Sequence, residues 1–326
     1  MKAVVYTEYG SPDVLQYKEV ATPAPKDDEV LIKVHATSVN RSDWEGLIGQ
    51  PLYARIGGLF KPRRQILGSD IAGVVAAVGK KHKQFQLGDE VFGDILTSLG
   101  GFAEYVCVRG GVLALKPAGV SFIEASTIPQ AGVIALQGLR EIAKMQPGQK
   151  VLINGAGGST GLFAIQLAKL YGAEVTGVDN AGKLDFIRSL GADYVIDYTR
   201  EDFTRNGQQY DLILDLVAHR SAFDLPRALR PNGTYFFVGG SVAKLFQILL
   251  WGPWIKRTTG KHVRLLAVQP NVNDMLHMTE LCAAGKIRPV IDRIYPLEQT
   301  PAALRSLGEG RAKGKIVITV VGNDSA

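Results

Sequence analysis

The chain has 326 residues, room for roughly two domains that each bury their own core. Its formal charge of +6 is moderate and its composition, 46% hydrophobic and 21% charged, is that of an ordinary soluble globular protein. Two cysteines, Cys107 and Cys282, are too few for a disulfide framework or a four-thiolate zinc site; this fits a reducing compartment, and the cytoplasm is expected.

The opening residues MKAVVYTEYG lack the apolar core of a signal peptide and the Arg/Ser-rich character of a transit peptide. The longest apolar run, residues 245–255, is broken by Gln247, Gly252 and Pro253, so no membrane insertion is expected. Lys61-Pro62-Arg63-Arg64 and Lys80-Lys81-His82-Lys83 are the only basic clusters. Neither has the interleaved aromatics of a nucleic-acid platform, so both read as solvated loops and no nucleic-acid partner is expected.

Apolar strands are predicted at residues 3–6, 30–34, 71–78, 90–92 and 103–108, between turn signals such as Gly10-Ser11-Pro12-Asp13 and Leu87-Gly88-Asp89. Short strands at this spacing suggest a compact barrel-like unit. Helical patterning begins at Ile123, and a helix over 130–143 is stopped by Pro147-Gly148. Strands at 151–154, 174–178, 194–196, 211–217, 235–238 and 263–268 then alternate with helices at 162–170, 183–190, 222–229 and within 243–254. That alternation predicts a doubly wound parallel sheet. A helix at 274–284 follows, and a last strand at 315–321 has the option of returning to the first unit.

The strongest motif is the turn between the first of these strands and its helix: Gly155-Ala156-Gly157-Gly158-Ser159-Thr160-Gly161. Ala156-x-Gly158-x-x-Gly161 is an Ala-for-Gly form of the dinucleotide fingerprint, in which small residues let the backbone approach a pyrophosphate at a helix N-terminus. Asp179 ends the second strand, where a carboxylate accepts the ribose hydroxyls of NAD(H) and repels a 2′-phosphate. The nearby cations Lys183 and Arg188 pull the other way, towards NADP(H); the acid gives a slight lean to NAD(H). The structural reading of Asp179 is a cap for the helix that follows.

Several segments in order resemble one family along nearly the whole chain. They are Val39-Asn40-Arg41-Ser42-Asp43, Leu67-Gly68-Ser69-Asp70, Gly88-Asp89-Glu90-Val91-Phe92-Gly93, Gly101-Phe102-Ala103-Glu104-Tyr105, Pro147-Gly148-Gln149, the glycine turn, Leu190-Gly191-Ala192-Asp193 and Gly314-Lys315-Ile316-Val317. The chain resembles the medium-chain dehydrogenase/reductases, in the zinc-independent branch of quinone oxidoreductases and enoyl reductases. That resemblance implies an α/β chain with a GroES-like β-barrel catalytic domain, residues 1–122 and 271–326, and a Rossmann cofactor-binding domain, residues 123–270. It implies NAD(H) or NADP(H) held by Ala156, Gly157, Gly158, Ser159, Thr160, Gly161, Asp179, Lys183, Tyr198, Val217, Gly239 and Gly240, and a homodimer paired through the cofactor domain. Ser159 and Thr160 depart from the branch, which usually has Gly and Val there, and Ile134 stands where Thr is frequent.

Relatives with catalytic zinc have Cys near position 40 and Gly-His-Glu at 68–70. This chain has Asn40 and Gly68-Ser69-Asp70, and its five histidines are scattered, so no metal is expected. Without one, a donor near the nicotinamide must stabilise the developing enolate or phenolate. Asn40 and Tyr53 are the candidates, with Asp43 holding the loop; the structural reading ties Asn40 and Asp43 to backbone N–H groups and packs Tyr53 at a domain edge. Residues 245–255 wall an apolar pocket, form a subunit interface or make a buried crossover helix, and a membrane-surface role ranks below these because the polar face is not strongly basic. The expected activity is NAD(P)H-dependent reduction of a small quinone or α,β-unsaturated carbonyl. An alcohol or aldehyde dehydrogenase and a non-catalytic NAD(P)H sensor are the alternatives.

Overall fold

The computed structural model describes residues 1–55, 58–140 and 147–320. They form two compact units, Met1–Val133 with the chain from Pro270 onward, and Ile134–Gln269. The first junction falls inside a helix, after residue 133, and not at 122 where the texture of the sequence changes.

The first unit opens with an antiparallel pair, β1 (Lys2–Val5) and β2 (Gln16–Glu19). Then come β3 (Glu29–Val39), α1 (Arg41–Ile48), β4 (Asp70–Val78), β5 (Glu90–Asp94), β6 (Tyr105–Arg109), β7 (Leu113–Leu115), α2 (Phe122–Ala125) and α3 (Pro129–Leu139). The strand β3 organises the unit. Its first half alternates, burying Val30, Ile32 and Val34 in one core with Val75, Val91, Val106 and Val108. From Ala36 to Val39 every residue is buried, because there both faces are covered. Two register shifts against β4 bend it. Gly73 sits within this bend, where an added Cβ would lie 2.1 Å from the Lys33 carbonyl oxygen.

The second unit is the six-stranded parallel sheet. Its elements are β8 (Lys150–Asn154), α4 (Ser159–Leu170), β9 (Glu174–Asp179), α5 (Leu184–Ser189), β10 (Tyr194–Asp197), β11 (Tyr210–Asp215), β12 (Leu229–Phe237), α6 (Val242–Thr259) and β13 (His262–Leu265). Their spatial order, β10-β9-β8-β11-β12-β13, reverses direction between β8 and β11. In sheets of this build ligands bind outside the carboxyl ends of the strands at that switch point. Four of the strands end there on a polar residue, Asn154, Asp179, Asp197 and Asp215.

The chain then returns to the first unit through α7 (Val272–Ala283), β14 (Ile291–Pro296), α8 (Thr300–Gly308) and β15 (Lys315–Thr319). β15 lies antiparallel to the second half of β3, pairing Ile316 with Val39 and Thr319 with Ala36, while β6 takes the same edge of the first half.

Two expectations change. The helix predicted at 222–229 is a single 3-10 turn, Leu225–Ala228. Its buried residues Ala222, Leu225 and Ala228 recur every third position, the period of that tighter helix, and Pro226 withholds an N–H from the first turn. The helix predicted at 130–143 is α3, and its expected residues 141–143 lie outside the described residues. The strands β2, β7 and β14 and the helices α1 and α8 were not predicted: β2 is exposed throughout and β7 is three residues long, so neither carries a periodic apolar signal.

Gly73→Val is expected to destabilise the protein by about 3 kcal/mol, because the neighbouring strand must move to admit the side chain. A lower midpoint in urea unfolding, with the slope unchanged, checks this.

Candidate functional site

At the carboxyl end of β8 the glycine turn has the geometry of an anion cradle. The Gly155 and Ala156 N–H groups donate to the Val178 carbonyl at 2.9 and 3.1 Å, tying the turn to β9. Gly158 is the N-cap of α4, so no side chain caps the helix at that position. A Cβ at Gly161 would lie 2.4 Å from the Ala156 oxygen, which accounts for that glycine as a packing necessity. Gly157 is confined by side chains only, with a Lys183 carbon 2.7 Å and Asp179 Oδ2 3.1 Å from where its Cβ would stand. Gly158 differs. Its φ of −92° and ψ of −178° suit any residue, and the nearest atom to an added Cβ is the Gly155 oxygen at 3.4 Å. The fold therefore tolerates a side chain there, and what the small residue preserves is open space in front of the helix.

Asp179 is buried and turned towards the cradle. Its Oδ2 accepts the Gly157 N–H at 3.0 Å, and its Oδ1 accepts the Asn180 N–H and Nδ2 at 2.9 and 3.1 Å. It does not cap the following turn; Asn180 does, accepting the Gly182 N–H at 3.0 Å. With one donor on Oδ2, the carboxylate keeps capacity for a hydroxyl. Lys183 Nζ stands 4.0 Å from Oδ1. Val217 lies against the turn, its Cγ2 3.2 Å from the place of a Cβ at Gly155. Gly239 accepts the Ala218 N–H at 2.7 Å, and Gly240, at φ +146°, bridges to Ala218 so closely that a Cβ would meet its oxygen at 2.4 Å. Tyr198 is exposed, and its N–H donates to the Asp179 carbonyl. The predicted cofactor residues are thus gathered at one end of one sheet. Beneath them lies a buried group the sequence did not flag: Asp215 accepts from Asn154 Nδ2 and the Tyr235 hydroxyl, both at 2.7 Å, and burial raises its pKa to about 6.

In the first unit, Asn40 and Asp43 meet in a buried polar cluster centred on Lys315. Lys315 Nζ donates to Asn40 Oδ1 at 2.8 Å and stands 3.6 Å from Asp70 Oδ2, with no exposure of either charged side chain. Asn40 Nδ2 donates to Asp70 Oδ2 at 2.8 Å and to Ser69 Oγ at 3.1 Å. Both amide hydrogens are therefore engaged, and Asn40 has no donor left for an acceptor oxygen, a correction to its expected role. Asp43 accepts the N–H groups of Asn40 at 2.8 Å and Gly68 at 3.1 Å. Ser38 Oγ and the Gln130 N–H also donate to Asp70. Tyr53 stays outside the cluster: it is 48% exposed and its hydroxyl donates to Glu45 at 3.3 Å.

Burial pushes the carboxyls of Asp43, Asp70 and Asp94 up, Asp43 and Asp94 to about 7, and pushes the Lys315 ammonium down. The attraction between Asp70 and Lys315 opposes both shifts. Strand register assembles the cluster, since Ser38 faces Asp70 across β3 and β4, Asp70 faces Asp94 across β4 and β5, and β15 brings Lys315 to the end of β3. The one local signal was a lysine opening an otherwise apolar strand, Lys315-Ile316-Val317-Ile318.

These donors do not fit a zinc ion. Asn40, Ser69 and Asp70 occupy the positions where zinc-using relatives place their ligands, and a lysine ammonium already sits among them. Among the described residues no group of three or more His, Cys, Asp or Glu is placed to hold a metal.

Two outcomes follow from this geometry. Gly158→Asp is expected to abolish binding of a dinucleotide, at least a hundredfold by fluorescence titration, with the circular dichroism spectrum unchanged, because the new carboxylate enters the open space before the helix. Lys315→Met should cost about 3–5 kcal/mol at pH 8 by leaving buried carboxylates without a cation. Carboxyls with raised folded pKa values favour folding below their unfolded pKa and lose that contribution as pH rises through the folded value, here about 7. The Lys315→Met loss in urea titrations should therefore shrink from pH 8 to pH 5.

Residues 26–118 match the alcohol dehydrogenase GroES-like domain family, and residues 190–318 match a family described as zinc-binding dehydrogenase. The chain is 34% identical to the 2-methylene-furan-3-one reductase of Solanum lycopersicum, over 98% of this chain and 79% of that protein. It is 32% identical to the chloroplastic NADPH-dependent alkenal/one oxidoreductase of Arabidopsis thaliana, with the same coverage of 98% and 79%. The solved quinone oxidoreductase of Coxiella burnetii is similar at a TM-score of 0.86 and 28% identity, over 98% of this chain and 99% of that one. With a barrel-like unit that a late strand completes, a parallel sheet bearing a glycine cradle and relatives alike along nearly its whole length, the chain belongs to the medium-chain dehydrogenase/reductase family, in the zinc-independent branch of quinone oxidoreductases and enone reductases.

Proposed function

We propose that this chain catalyses reduction of an α,β-unsaturated carbonyl or a quinone with NAD(P)H. The observation that carries the reading is the cradle formed by the glycine turn and Asp179, in a chain whose relatives are named for enone, alkenal and quinone substrates. When bound, NAD(P)H supplies the hydride. Residues 156–161 hold the pyrophosphate against the start of α4, and Asp179 takes a hydroxyl of the adenine-side ribose. Proton delivery to the reduced acceptor falls to water or to Tyr53. Its phenol is protonated at neutral pH, as a tyrosine ordinarily is, and burial and the Glu45 carboxylate raise its pKa further. Asn40 acts only through the loop it fixes. The Lys315 ammonium among Asn40 and Asp70 argues against the metal-dependent alcohol dehydrogenase alternative.

A preference for NAD(H) belongs to this reading, since a 2′-phosphate would meet the Asp179 carboxylate; Lys183 is the counterweight. So does a homodimer paired through the second unit, whose sheet ends on the edge strand β13. The cytoplasm suits two free cysteines whose thiols burial raises to about 11 and 12.

The test is cofactor oxidation, followed by absorbance, with a panel of enones and quinones. NADH should be consumed with at least one of them, and no turnover of NADH or NADPH with any acceptor sinks the proposal. Asp179→Ser is expected to shift the ratio of kcat/KM for NADPH over NADH upward by at least tenfold, about 1.4 kcal/mol. An unmoved ratio would remove Asp179 from the ribose site.

A further inference from the structure

The helix α6 is fixed to its sheet by one seam. Ile248, Gly252 and Ile255, spaced i, i+4 and i+7, are its buried residues, and Gly252 lies so close to β13 that a Cβ would meet the Val263 oxygen at 2.2 Å. The opposite face is apolar as well and open. Phe246 is 58% exposed, Leu249 50%, Leu250 71% and Trp254 52%. Beside them Trp251, itself 43% exposed, packs on Phe223 at 5.4 Å and on Trp254 at 6.2 Å. Residues 245–255 are thus not the buried crossover that one sequence reading expected. A contiguous exposed surface of this kind marks an interaction site.

Charge indicates what covers it. From residue 225 to residue 273 the chain has no Asp or Glu, and it has seven cations: Arg227, Arg230, Lys244, Lys256, Arg257, Lys261 and Arg264. Lys244 lies in the first turn of α6, and Lys256 and Arg257 lie in its last turns. Among the described residues neither Lys256 nor Arg257 has an ion-pair partner, and Asp224, the acid that precedes the stretch, is paired with Arg227 at 3.3 Å. The sequence reading ranked a membrane surface low because the polar face of residues 245–255 is not strongly basic; the helix extends to Val242–Thr259 and takes in three cations. A second copy seated on this face would bring the same cations together with no carboxylate in the segment to answer them.

We propose that the outward face of α6 is a peripheral membrane-docking surface, which lies in the headgroup region of an anionic phospholipid bilayer. Leu249, Leu250 and Phe246 enter the acyl boundary. Trp251 and Trp254 sit at headgroup level, where aromatic rings with one polar edge are favoured. Lys244, Lys256 and Arg257 flank them and meet the lipid phosphates and carboxylates. No helix among the described residues is long and apolar enough to cross a membrane, so the contact is one of lying on the surface. Nothing in it depends on the proposed reductase activity.

The experiment is flotation of the full chain with vesicles of phosphatidylcholine and phosphatidylserine, against phosphatidylcholine alone, with tryptophan emission followed in parallel. Binding to the anionic vesicles, a blue shift of the emission and loss of both at high salt are expected. Leu250→Glu, at the most exposed position of the face, should lower the partition coefficient at least tenfold with circular dichroism and thermal midpoint unchanged. Lys256→Glu with Arg257→Glu should remove the preference for anionic vesicles. A parent chain that does not float with either vesicle overturns the proposal, and so does a Leu250→Glu chain that floats as the parent does. If light scattering shows that Leu250→Glu splits a parent dimer while vesicle binding is absent or unmoved, the face belongs to a second copy and the proposal is wrong.

Discussion

A lysine ammonium with no exposure to solvent constrains the whole first unit. Lys315 must be answered by oxygen, and Asn40 Oδ1 and the Asp70 carboxylate answer it. Those two residues come from the end of β3 and the start of β4, and the lysine comes from β15, some 245 residues beyond Asp70 in the chain. The electrostatic requirement therefore ties the last strand to the first sheet, and makes the unit one that cannot be completed until most of the chain exists. The same contact decides what the cluster does chemically. With its amide hydrogens directed to Ser69 and Asp70, Asn40 is a fixed part of the frame, and Asp43 completes the loop by holding two N–H groups.

The second unit answers a different constraint, the gathering of polar strand ends and a glycine turn at one edge of its sheet. Parallel strands put their carboxyl ends on one edge, and the reversal between β8 and β11 opens that edge beside the glycine turn. Asp179 serves both sides of this arrangement, since it orders Gly157 and still keeps acceptor capacity. Below it the buried Asp215 is stabilised by Tyr235 and Asn154, so the floor of the cradle is itself a polar network in which no partner can be removed without leaving another unsatisfied. The long α6 leaves this edge immediately after Gly239 and Gly240 and runs out to an exposed apolar face. One element thus connects the end of the sheet that bears the glycine turn to an exposed apolar surface.

The two clusters were not equally legible. The glycine turn, its flanking strand and helix and the acid at the end of β9 are contiguous or separated by a fixed supersecondary unit, so residue spacing alone locates them. The crossover between β11 and β12 was misread because Ala222, Leu225 and Ala228 satisfy a short 3-10 turn as readily as a helix face. The cap role set against Asp179 went to its neighbour Asn180, a choice between adjacent residues that only side-chain direction makes. Tyr53 and Asn40 were paired by sequence as acceptor donors, and the structure separates them, since one hydroxyl points to Glu45 at the surface and the other side chain is sealed in.

What the amino-acid order by itself determined is the architecture and the place of the glycine turn between β8 and α4: apolar periodicity, turn residues and the spacing of small residues are local, and local geometry follows from them. What only tertiary structure decided is the electrostatic identity of the first unit and the exposure of α6. Asp70, Asp94, Ser38 and Lys315 lie on four strands, and it is strand register, a long-range property, that sets them face to face. Likewise the apolar run 245–255 suited a pocket wall, an interface or a buried crossover alike, and only the packing of Ile248, Gly252 and Ile255 against the sheet shows which face was left open.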